Sequence, residues 1–312
     1  MATVVDVRSL VKRFGDLVAV DDVSFAIEEG EMFGLLGPNG AGKTTTISMI
    51  SCLLDPTSGE VVVDGHPIAG EAAAVKRALG VVPQEIALYP TLSAAENLMF
   101  WGRMYGLSGA ALKTAVDEAL ELAGLADRAK ERIEKYSGGM KRRINIAAGI
   151  LHRPKVLLMD EPTVGIDPQS RNHILETVKQ LNASGMTVLY TSHYMEEVEF
   201  LCDRIAIMDH GKIIAAGTLN ELRNIVGSQD VVDIKVSDVS DAVLERVRGI
   251  GGVTQADRSD GAMRVLTTSS GSILGQLVQA LESEGAHVTS VSVTEPDLES
   301  VFLHLTGKSL RD

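Results

Sequence analysis

Apolar and polar residues follow two rhythms along the first 224 residues, one typical of strands and one of helices. Short apolar runs of strand length lie at residues 4–10, 17–27, 32–36, 61–63, 80–83, 156–159, 187–191 and 205–209. Helical periodicity lies at residues 44–53, 93–125, 141–151, 169–184 and 195–201. Ser93 and Glu96 have the spacing of a capping box at the start of the second helix. Strands that alternate with helices predict an α/β fold whose mostly parallel sheet is covered on both faces.

The pattern changes after residue 224, where Gly227 and Ser228 interrupt the periodicity and predict a linker at 224–229. We therefore expect two domains, 1–224 and 225–312. In the second domain, strands are predicted at residues 231–236, 253–256, 263–267 and 287–293, with helices at 241–247, 272–283 and 297–305 and a turn at Asp260 and Gly261. The order βαββαβ predicts a small C-terminal α+β domain of the ferredoxin-like kind.

Composition excludes several classes of protein. Apolar residues make up 45% of the chain and charged residues 23%, as in folded domains rather than disordered chains. The net charge of −13 argues against a nucleic-acid binder and a polybasic membrane anchor. Two cysteines, Cys52 and Cys202, are too few for a disulfide-built secreted protein and favour a reducing compartment. We expect no signal peptide and no transmembrane segment, because no run approaches the ~18 apolar residues of a membrane span.

Between a predicted strand and a predicted helix lies a glycine-rich motif, Gly37-Pro38-Asn39-Gly40-Ala41-Gly42-Lys43-Thr44, which matches the phosphate-binding pattern G-x-x-x-x-G-K-[ST]. Glycines let the backbone wrap closely around phosphates with its N–H groups pointing inward. Lys43 is expected to reach the β- and γ-phosphates of a nucleotide, and the Thr44 hydroxyl to ligate Mg²⁺. The alternative is a chance glycine-rich turn, which the flanking strand and helix disfavour.

Two adjacent acids follow the apolar run at 156–159. Asp160 stands at the carboxyl end of a predicted buried strand, where sites in parallel sheets lie, and we expect it to hold Mg²⁺ through water. Glu161 comes next, and a carboxylate beside a metal site can polarise a water molecule for attack on the γ-phosphate. Taken alone, Glu161 would be interpreted as a solvated loop acid.

Further segments match, in order and spacing, the motifs of one ATPase family. They are Phe14, Val82-Pro83-Gln84, Tyr136-Ser137-Gly138-Gly139-Met140, Glu161-Pro162-Thr163, Gly165-Ile166-Asp167 and Thr191-Ser192-His193. On these residues the segment 3–224 resembles the ATP-binding subunits of ABC transporters. The commonest signature has Gln where Met140 stands and Leu where Tyr136 stands, and Phe14 replaces the usual Tyr. A phenyl ring still stacks on adenine.

The resemblance implies a P-loop ATPase core with a helical subdomain at about 86–155. It also implies a role for each matched residue. Phe14 would stack on adenine, Gln84 would bond Mg²⁺ or the attacking water, and His193 would contact the γ-phosphate. The remaining ATP-binding residues would be Gly37, Pro38, Asn39, Gly40, Ala41, Gly42, Lys43, Thr44 and Thr45. Ser137, Gly138 and Gly139 would bind the ATP of a second subunit in a head-to-tail dimer, and Asp167 would reach that subunit's P-loop.

The signature segment ends in Gly138-Gly139-Met140 and is followed by basic residues. In this it resembles the signature of exporter ATPases of the ABC-2 type, including antibiotic-resistance subunits. The tail Pro296-Asp297-Leu298-Glu299-Ser300-Val301-Phe302-Leu303, followed by Thr306-Gly307, resembles the same group. The resemblance implies ATP hydrolysis that drives export of a drug, lipid or polysaccharide through a separate membrane permease. The chain would then lie at the cytoplasmic face of the cell membrane, attached through the permease, with a second ATP-binding subunit that we expect to be an identical chain.

Some features leave alternatives open. Lys141, Arg142 and Arg143 are interpreted as a solvated helix face. Four of the twelve aromatic residues lie within 89–105, and they form either the core of the helical subdomain or the groove that receives a coupling helix of the permease: Tyr89, Phe100, Trp101 and Tyr105.

Three other functions remain to be compared with this one. A DNA-repair or chromosome-organising ATPase is disfavoured because the chain has neither long coiled coils nor a basic surface. A translation-associated ATPase with paired heads is disfavoured by the single P-loop. A mainly regulatory binding module is the third.

Overall fold

The computed structural model describes residues 2–225, 230–236, 241–259, 262–267, 270–283, 286–294 and 297–306. The chain divides into two compact units, one of residues up to Thr218 and one of Leu219–Ser309. The predicted linker beyond Ile225, the turn at Asp260 and Gly261, and the tail residues Pro296 and Gly307 lie outside the described residues.

The first unit holds ten strands and seven helices among its described residues. Its strands are β1 (Thr3–Phe14), β2 (Leu17–Glu28), β3 (Met32–Leu36), β4 (Ser58–Val63), β5 (His66–Pro67), β6 (Leu79–Val82), β7 (Val156–Asp160), β8 (Thr187–Ser192), β9 (Arg204–Asp209) and β10 (Lys212–Gly217). Its α-helices are α1 (Lys43–Ile50), α2 (Ile68–Ala78), α3 (Ala94–Met104), α4 (Gly109–Leu122), α5 (Gly138–Ile150), α6 (Pro168–Ala183) and α7 (Met195–Leu201). Two 3₁₀ turns, Ala126–Arg128 and Ile133–Lys135, precede α5.

A six-stranded sheet of order β10-β9-β3-β8-β7-β6 forms the centre of this unit. All its pairs are parallel except the edge pair of β9 and β10. Every residue of β3, β7 and β8 is buried, as expected of parallel strands covered on both faces. A second, antiparallel sheet has the order β2-β1-β4-β5. The α/β prediction is therefore confirmed, and the parallel sheet brings the carboxyl ends of β3, β7 and β8 to one edge.

The predicted helix at 93–125 is two helices, α3 and α4, because the chain turns at Gly106, whose φ is 85°. The capping box of α3 is confirmed: Ser93 Oγ accepts the Glu96 N–H at 3.2 Å, and the Glu96 carboxylate accepts the Ser93 N–H at 2.8 Å. Helices α3, α4 and α5 share a separate core that includes Leu98, Leu120 and Ile144. The helical insertion thus has its own apolar interior and packs as a distinct layer.

Three elements of the first unit are absent from the sequence prediction: α2, β5 and β10. Helix α2 is rich in alanine and buries only Val75, so its apolar periodicity is weak. Strand β5 has two residues. Strand β10 pairs with β9 after the turn at Gly211, whose φ is 82°, and only one of its six residues is buried.

The second unit contains a four-stranded antiparallel sheet with helices. Its elements are α8 (Leu219–Ile225), β11 (Asp230–Val236), α9 (Asp241–Arg248), β12 (Val253–Ser259), β13 (Ala262–Thr267), α10 (Ser270–Ser283), β14 (Val288–Thr294) and α11 (Leu298–Thr306). The sheet has the order β12-β13-β11-β14. Its core joins inward residues of β11 and β13 to apolar residues of α9 and α10. Helix α8, which the sequence did not predict, belongs to this unit, so the units divide after Thr218, whereas the prediction places the boundary after residue 224.

Among the described residues, no helix combines the length and the apolar character that crossing a membrane would require.

Candidate active site

The glycine-rich motif forms the turn between β3 and α1, and its glycines are required by close backbone contacts. A Cβ on Gly37 would lie 2.2 Å from the carbonyl oxygen of Met208. Gly42 caps α1 with a φ of 107°, and a Cβ there would lie 2.5 Å from the Ala19 carbonyl oxygen. No other residue fits these two positions without moving the backbone, so the loop keeps its N–H groups available at the start of α1.

A cavity of about 370 Å³ opens over this loop. Most of the sequence-predicted nucleotide residues meet there, and its lining comprises Phe14, Leu17, Ala19, Asn39, Gly40, Ala41, Gly42, Lys43, Thr44, Thr45, Gln84 and Glu161. The Phe14 side chain is half exposed, so its ring is accessible from this cavity. Leu17 and Ala19 on β2 were not predicted to line the nucleotide site. Their position in the strand that directly follows Phe14 could have indicated this role.

Lys43 is almost fully buried beneath the loop. Its ammonium donates to the carbonyl oxygen of Gly37 at 2.6 Å and to that of Pro38 at 3.1 Å. It also forms an ion pair with Glu161, with 2.9 Å between Nζ and Oε1. The cation is therefore held in place by three oxygen atoms at the entrance of α1.

Glu161 follows β7 with a φ of 44°, a left-handed conformation that is uncommon for a residue with a side chain. Its N–H donates to Thr191 Oγ1 at 3.0 Å, and its Oε2 lies 3.2 Å from Nδ1 of His193. Backbone strain of this kind persists where the surroundings impose it, and it is concentrated at functional sites. The turn aims the carboxylate between Lys43 and His193.

Asp160, the last residue of β7, is buried beside these groups. Thr191 Oγ1 donates to its Oδ1 at 2.8 Å, and Thr44 lies near this carboxylate. Burial raises the pKa of Asp160, and Thr191 and Thr44 partly offset that effect. A hydroxyl and a carboxylate are thus adjacent at the edge of the phosphate loop.

Ser137, Gly138, Gly139 and Asp167 do not line this cavity and form a second cluster instead. Ser137 caps α5, and its Oγ accepts the Met140 N–H at 3.3 Å. Asp167 caps α6, and its Oδ1 accepts the Ser170 N–H at 2.9 Å, a hydrogen bond that lowers the pKa of Asp167. A Cβ on Gly139 would lie 2.1 Å from Ser170 Oγ. The two helix starts therefore pack directly on each other.

The two unusual residues of the signature segment are connected through Arg128. The Tyr136 hydroxyl donates to the Arg128 carbonyl oxygen at 2.7 Å, and the guanidinium lies 5.5 Å from the centre of the Tyr136 ring. Arg128 Nη1 lies 3.3 Å from Met140 Sδ. Tyr136 and Met140 are thus partners of one arginine.

The interpretation of 141–143 as a solvated helix face is wrong for Arg142, and Arg143 is half-buried. Arg142 is 3% exposed, and its guanidinium donates to the carbonyl oxygens of Pro83, at 2.8 Å, and Gln84. Arg143 donates to the Ala123 carbonyl oxygen at the end of α4, at 2.8 Å. Three consecutive basic residues suggest exposure to solvent. Helix α5 instead packs on the sheet and on α4, so Arg142 and Arg143 donate hydrogen bonds to carbonyl oxygens of these neighbouring segments.

A buried carboxylate beside His193 was also missed. Oε2 of Glu197 accepts hydrogen bonds from Thr163 at 2.8 Å, Tyr190 at 2.9 Å and Ser192 at 3.0 Å. Arg171 Nε lies 3.5 Å from its other oxygen. Glu197 therefore ties the segment after Glu161 to the segment before His193. In the sequence, only the position of Glu197 on the inner face of a short helix indicates that it is buried.

The four aromatic residues at 89–105 differ in their surroundings, and Trp101 packs against the core of the helical insertion. Trp101 and Tyr105 line an apolar cavity of about 360 Å³, together with Leu79, Val81, Ala87 and Asn145 among others. Phe100 packs edge-to-face against both Tyr89 and Trp101. The Tyr89 side chain is half exposed.

Comparison with known proteins gives a consistent result. Residues 20–164 match the family described as "ABC transporter". The chain is 51% identical over 307 residues to the linearmycin resistance ATP-binding protein LnrL of Bacillus subtilis, which covers 98% of this chain and 99% of that protein. It is 38% identical to Nod factor export ATP-binding protein I of Cupriavidus metallidurans, over 100% of both.

Among solved structures, a dimeric post-hydrolysis state of the ATP-binding cassette MJ0796, bound to ADP and Pi, superposes with a TM-score of 0.63. It is 29% identical and covers 69% of this chain and 98% of that one. Identity of 51% across nearly the whole chain, together with the phosphate loop and the acids at the end of β7, settles the family. The chain belongs to the ABC transporter family, as an ATP-binding protein that hydrolyses ATP.

Proposed function

We propose that this chain powers an exporter, working with a separate membrane permease and a second ATP-binding subunit. The observation that carries the proposal is the arrangement of Lys43, Glu161 and His193 at the phosphate loop, which supports a role for them as the cation and base that surround a bound γ-phosphate. The names of two relatives add the direction of transport, because one is a linearmycin resistance protein and the other a Nod factor export protein.

ATP binds with its adenine on Phe14 and its phosphates in the loop. The half-exposed Phe14 ring offers an apolar face to the base. The loop N–H groups at the start of α1 and the Lys43 ammonium meet the negative charge of the phosphates. Gly37, Pro38, Asn39, Gly40, Ala41, Gly42, Thr44 and Thr45 supply the remaining contacts.

Mg²⁺ fits the residues beside the loop. Thr44 and Asp160 offer a hydroxyl and a carboxylate oxygen near each other, the ligand type that Mg²⁺ prefers. In the described part of the chain, no three His, Cys, Asp or Glu side chains converge as a metal cage, which suits an ion held by few protein ligands and by substrate phosphates. Thr44, Asp160 and Gln84 would hold the ion, which would neutralise charge on the transferring phosphoryl group.

Glu161 orients the attacking water and accepts its proton on the carboxylate. His193 faces Oε2 of Glu161 through Nδ1, so its Nε2 remains available for the γ-phosphate. Lys43 stabilises the charge that develops on the phosphoryl oxygens. The Gln84 side chain reaches the same cavity and completes the water site.

The signature residues contact the ATP of a second subunit across a dimer interface. Ser137, Gly138 and Gly139 begin the 13-residue helix α5, and a helix start of this kind binds anions. They lie outside the cavity of their own chain, so they would contact the ATP of a second subunit, with Asp167 beside them. The dimeric MJ0796 cassette is the precedent for such an assembly.

The apolar cavity lined by Trp101 and Tyr105 is the proposed docking groove for a helical segment of an ABC-2-type permease, at the cytoplasmic face of the membrane. Drug, lipid and polysaccharide are the proposed classes of cargo, and the similarity to a linearmycin resistance protein favours a drug.

We further propose that the C-terminal unit is a ferredoxin-like accessory domain. Its element order β11-α9-β12-β13-α10-β14 and its sheet order β12-β13-β11-β14 support this assignment. The boundary of the ATPase domain would then lie at 218–224.

The test is affinity purification of the tagged chain from detergent-solubilised membranes of its own organism. The proposal expects one or two permease chains with several transmembrane helices to co-purify, and ATP hydrolysis that rises when the cargo is added. Recovery of the chain without any membrane protein, together with unchanged drug sensitivity after gene deletion, would contradict export.

A further inference from the structure

The loop at residues 83–87, here called the Gln84 loop, is attached to helix α5 at both of its ends. Arg142 donates to the carbonyl oxygens of Pro83 and Gln84, and Asn145 Oδ1 accepts the Ala87 N–H at 3.1 Å. Arg142 and Asn145 are three residues apart, so they lie on one face of α5. A single helix face therefore fixes the backbone on either side of the Gln84 side chain.

Arg142 is an unusual residue for a purely structural contact. It is 3% exposed, and within the described ranges it forms no ion pair. Its Nε, also buried, has no hydrogen-bond partner there. A guanidinium taken out of water with no carboxylate in ion-pair contact is costly to bury, and the charge of Asp160 acts on it only from a greater distance. The planar guanidinium does, however, present two donors to two successive carbonyl oxygens, a geometry that lysine cannot reproduce.

Helix α5 also carries the signature segment at its N-terminus. Ser137 caps the helix five residues before Arg142, about one and a half turns away. Because an α-helix of this length moves as a rigid element, a shift of its N-terminus also displaces Arg142 and Asn145. The Gln84 side chain, in turn, lines the cavity over the phosphate loop.

We propose that Arg142 is a positioning residue: it aims Gln84 into the ATP cavity and transmits movements of α5 to that side chain. A contact between Ser137 and the ATP of the second subunit would thereby change the position of Gln84 in the ATP cavity of this chain. This inference rests on the proposed function, because that function assigns Gln84 to the ATP site.

The chain contains its own reporter for this loop. Trp101 is its single tryptophan, and its indole N–H donates to the Ala87 carbonyl oxygen at 3.1 Å. Tryptophan emission from the full-length protein therefore reports the position of the Gln84 loop directly. We expect Mg-ATP to change this emission in the unmodified protein.

The test compares Arg142→Gln and Arg142→Lys with a matched control, Arg143→Gln. Arg143 is the neighbouring, half-buried arginine, and it donates to Ala123 rather than to the Gln84 loop. We expect Arg142→Gln to lower kcat by about tenfold or more, with KM for ATP within about twofold, because a small misplacement of a positioning group affects chemistry more than binding. The kcat of Arg142→Lys should lie between that of the parent and that of Arg142→Gln, and Arg143→Gln should keep kcat within about twofold of the parent. The Trp101 response to Mg-ATP should be lost in Arg142→Gln and kept in Arg143→Gln.

A double-mutant cycle with Gln84→Ala separates positioning from general damage. If Arg142 acts through Gln84, then adding Arg142→Gln to Gln84→Ala produces less than a twofold further loss of kcat. If the two losses multiply, or if the Trp101 response survives in Arg142→Gln, the inference is overturned and the proposed function stands. If Gln84→Ala alone leaves kcat unchanged, the proposed role of Gln84 fails first. Should Arg142→Gln not fold, the cycle is run with Arg142→Lys, which keeps the buried charge.

Discussion

Lys43 and Glu161 form a buried ion pair, with 2.9 Å between Nζ and Oε1 and side-chain exposures of 4% and 6%. The second carboxylate oxygen of Glu161 faces His193 at 3.2 Å. Both oxygens of the proposed base thus contact side chains that are also assigned to the phosphates. Binding of ATP and activation of water are therefore linked in one set of contacts.

Replacing Lys43 by Ala is expected to weaken ATP binding and also to lower the free energy of unfolding. The change leaves the Glu161 carboxylate buried without its cation, a loss of about 3–5 kcal/mol. Nucleotide titration and urea unfolding measure the two effects. The control is Lys113→Ala, since Lys113 pairs with Asp117 on an exposed helix face and its removal should change stability by less than about 0.5 kcal/mol. Unchanged nucleotide affinity in Lys43→Ala would refute the role of this lysine.

Glu197→Ala is expected to destabilise the protein by at least about 2 kcal/mol, because three buried hydroxyl groups lose their shared acceptor. Glu196 is the matched control: it is the preceding residue and is exposed, so Glu196→Ala should stay within about 0.5 kcal/mol of the parent. Denaturant unfolding of both variants gives the comparison. Equal stabilities would show that the hydroxyl cluster has other acceptors.

His152 gives the stability a pH dependence with a definite sign. Burial lowers the pKa of this imidazole from its ordinary value of 6.5, and its hydrogen bond to the Leu79 carbonyl oxygen offsets part of that effect. Below pH 6.5 the unfolded chain therefore binds more protons than the folded one, so this group makes the free energy of unfolding fall as the pH decreases through that range.

His152→Gln removes this titration and keeps a donor for Leu79. Below pH 6.5, its unfolding free energy should vary less steeply with pH than that of the parent. Urea unfolding at several pH values measures both slopes. A slope as steep as that of the parent would show that His152 does not titrate differently in the folded state.

Removal of the C-terminal unit should leave ATP binding intact. A chain that ends at Thr218 retains the complete lining of the nucleotide cavity and both sheets of the first unit. We expect its affinity for a fluorescent ATP analogue to lie within about threefold of the full chain, a difference under about 1 kcal/mol. If the shortened chain folds cooperatively but does not bind, the division into domains is wrong.

The sequence predicts the local parts of the site well, because the phosphate loop and the acids after β7 are continuous motifs beside clear strands. Contacts between distant segments were missed. Charge alone suggested that Arg142 is solvated, whereas the helical period puts it on the buried face with Asn145 and Gly149. Glu197 is recognisable only once Thr163 and Ser192 are brought together by neighbouring strands. Both side chains form hydrogen bonds with groups that lie far away in the sequence, and periodicity within one helix cannot show which groups these are.

The most direct test of the ATPase mechanism is turnover and assembly of Glu161→Gln. The amide keeps the shape of the side chain but cannot accept the proton of water, so phosphate release should fall by at least about 100-fold while ATP binding persists. Size-exclusion chromatography with Mg-ATP should then show the variant as a stable dimer and the parent as a transient one. Phosphate release at the parent's rate by Glu161→Gln would contradict the assignment of Glu161 as the base.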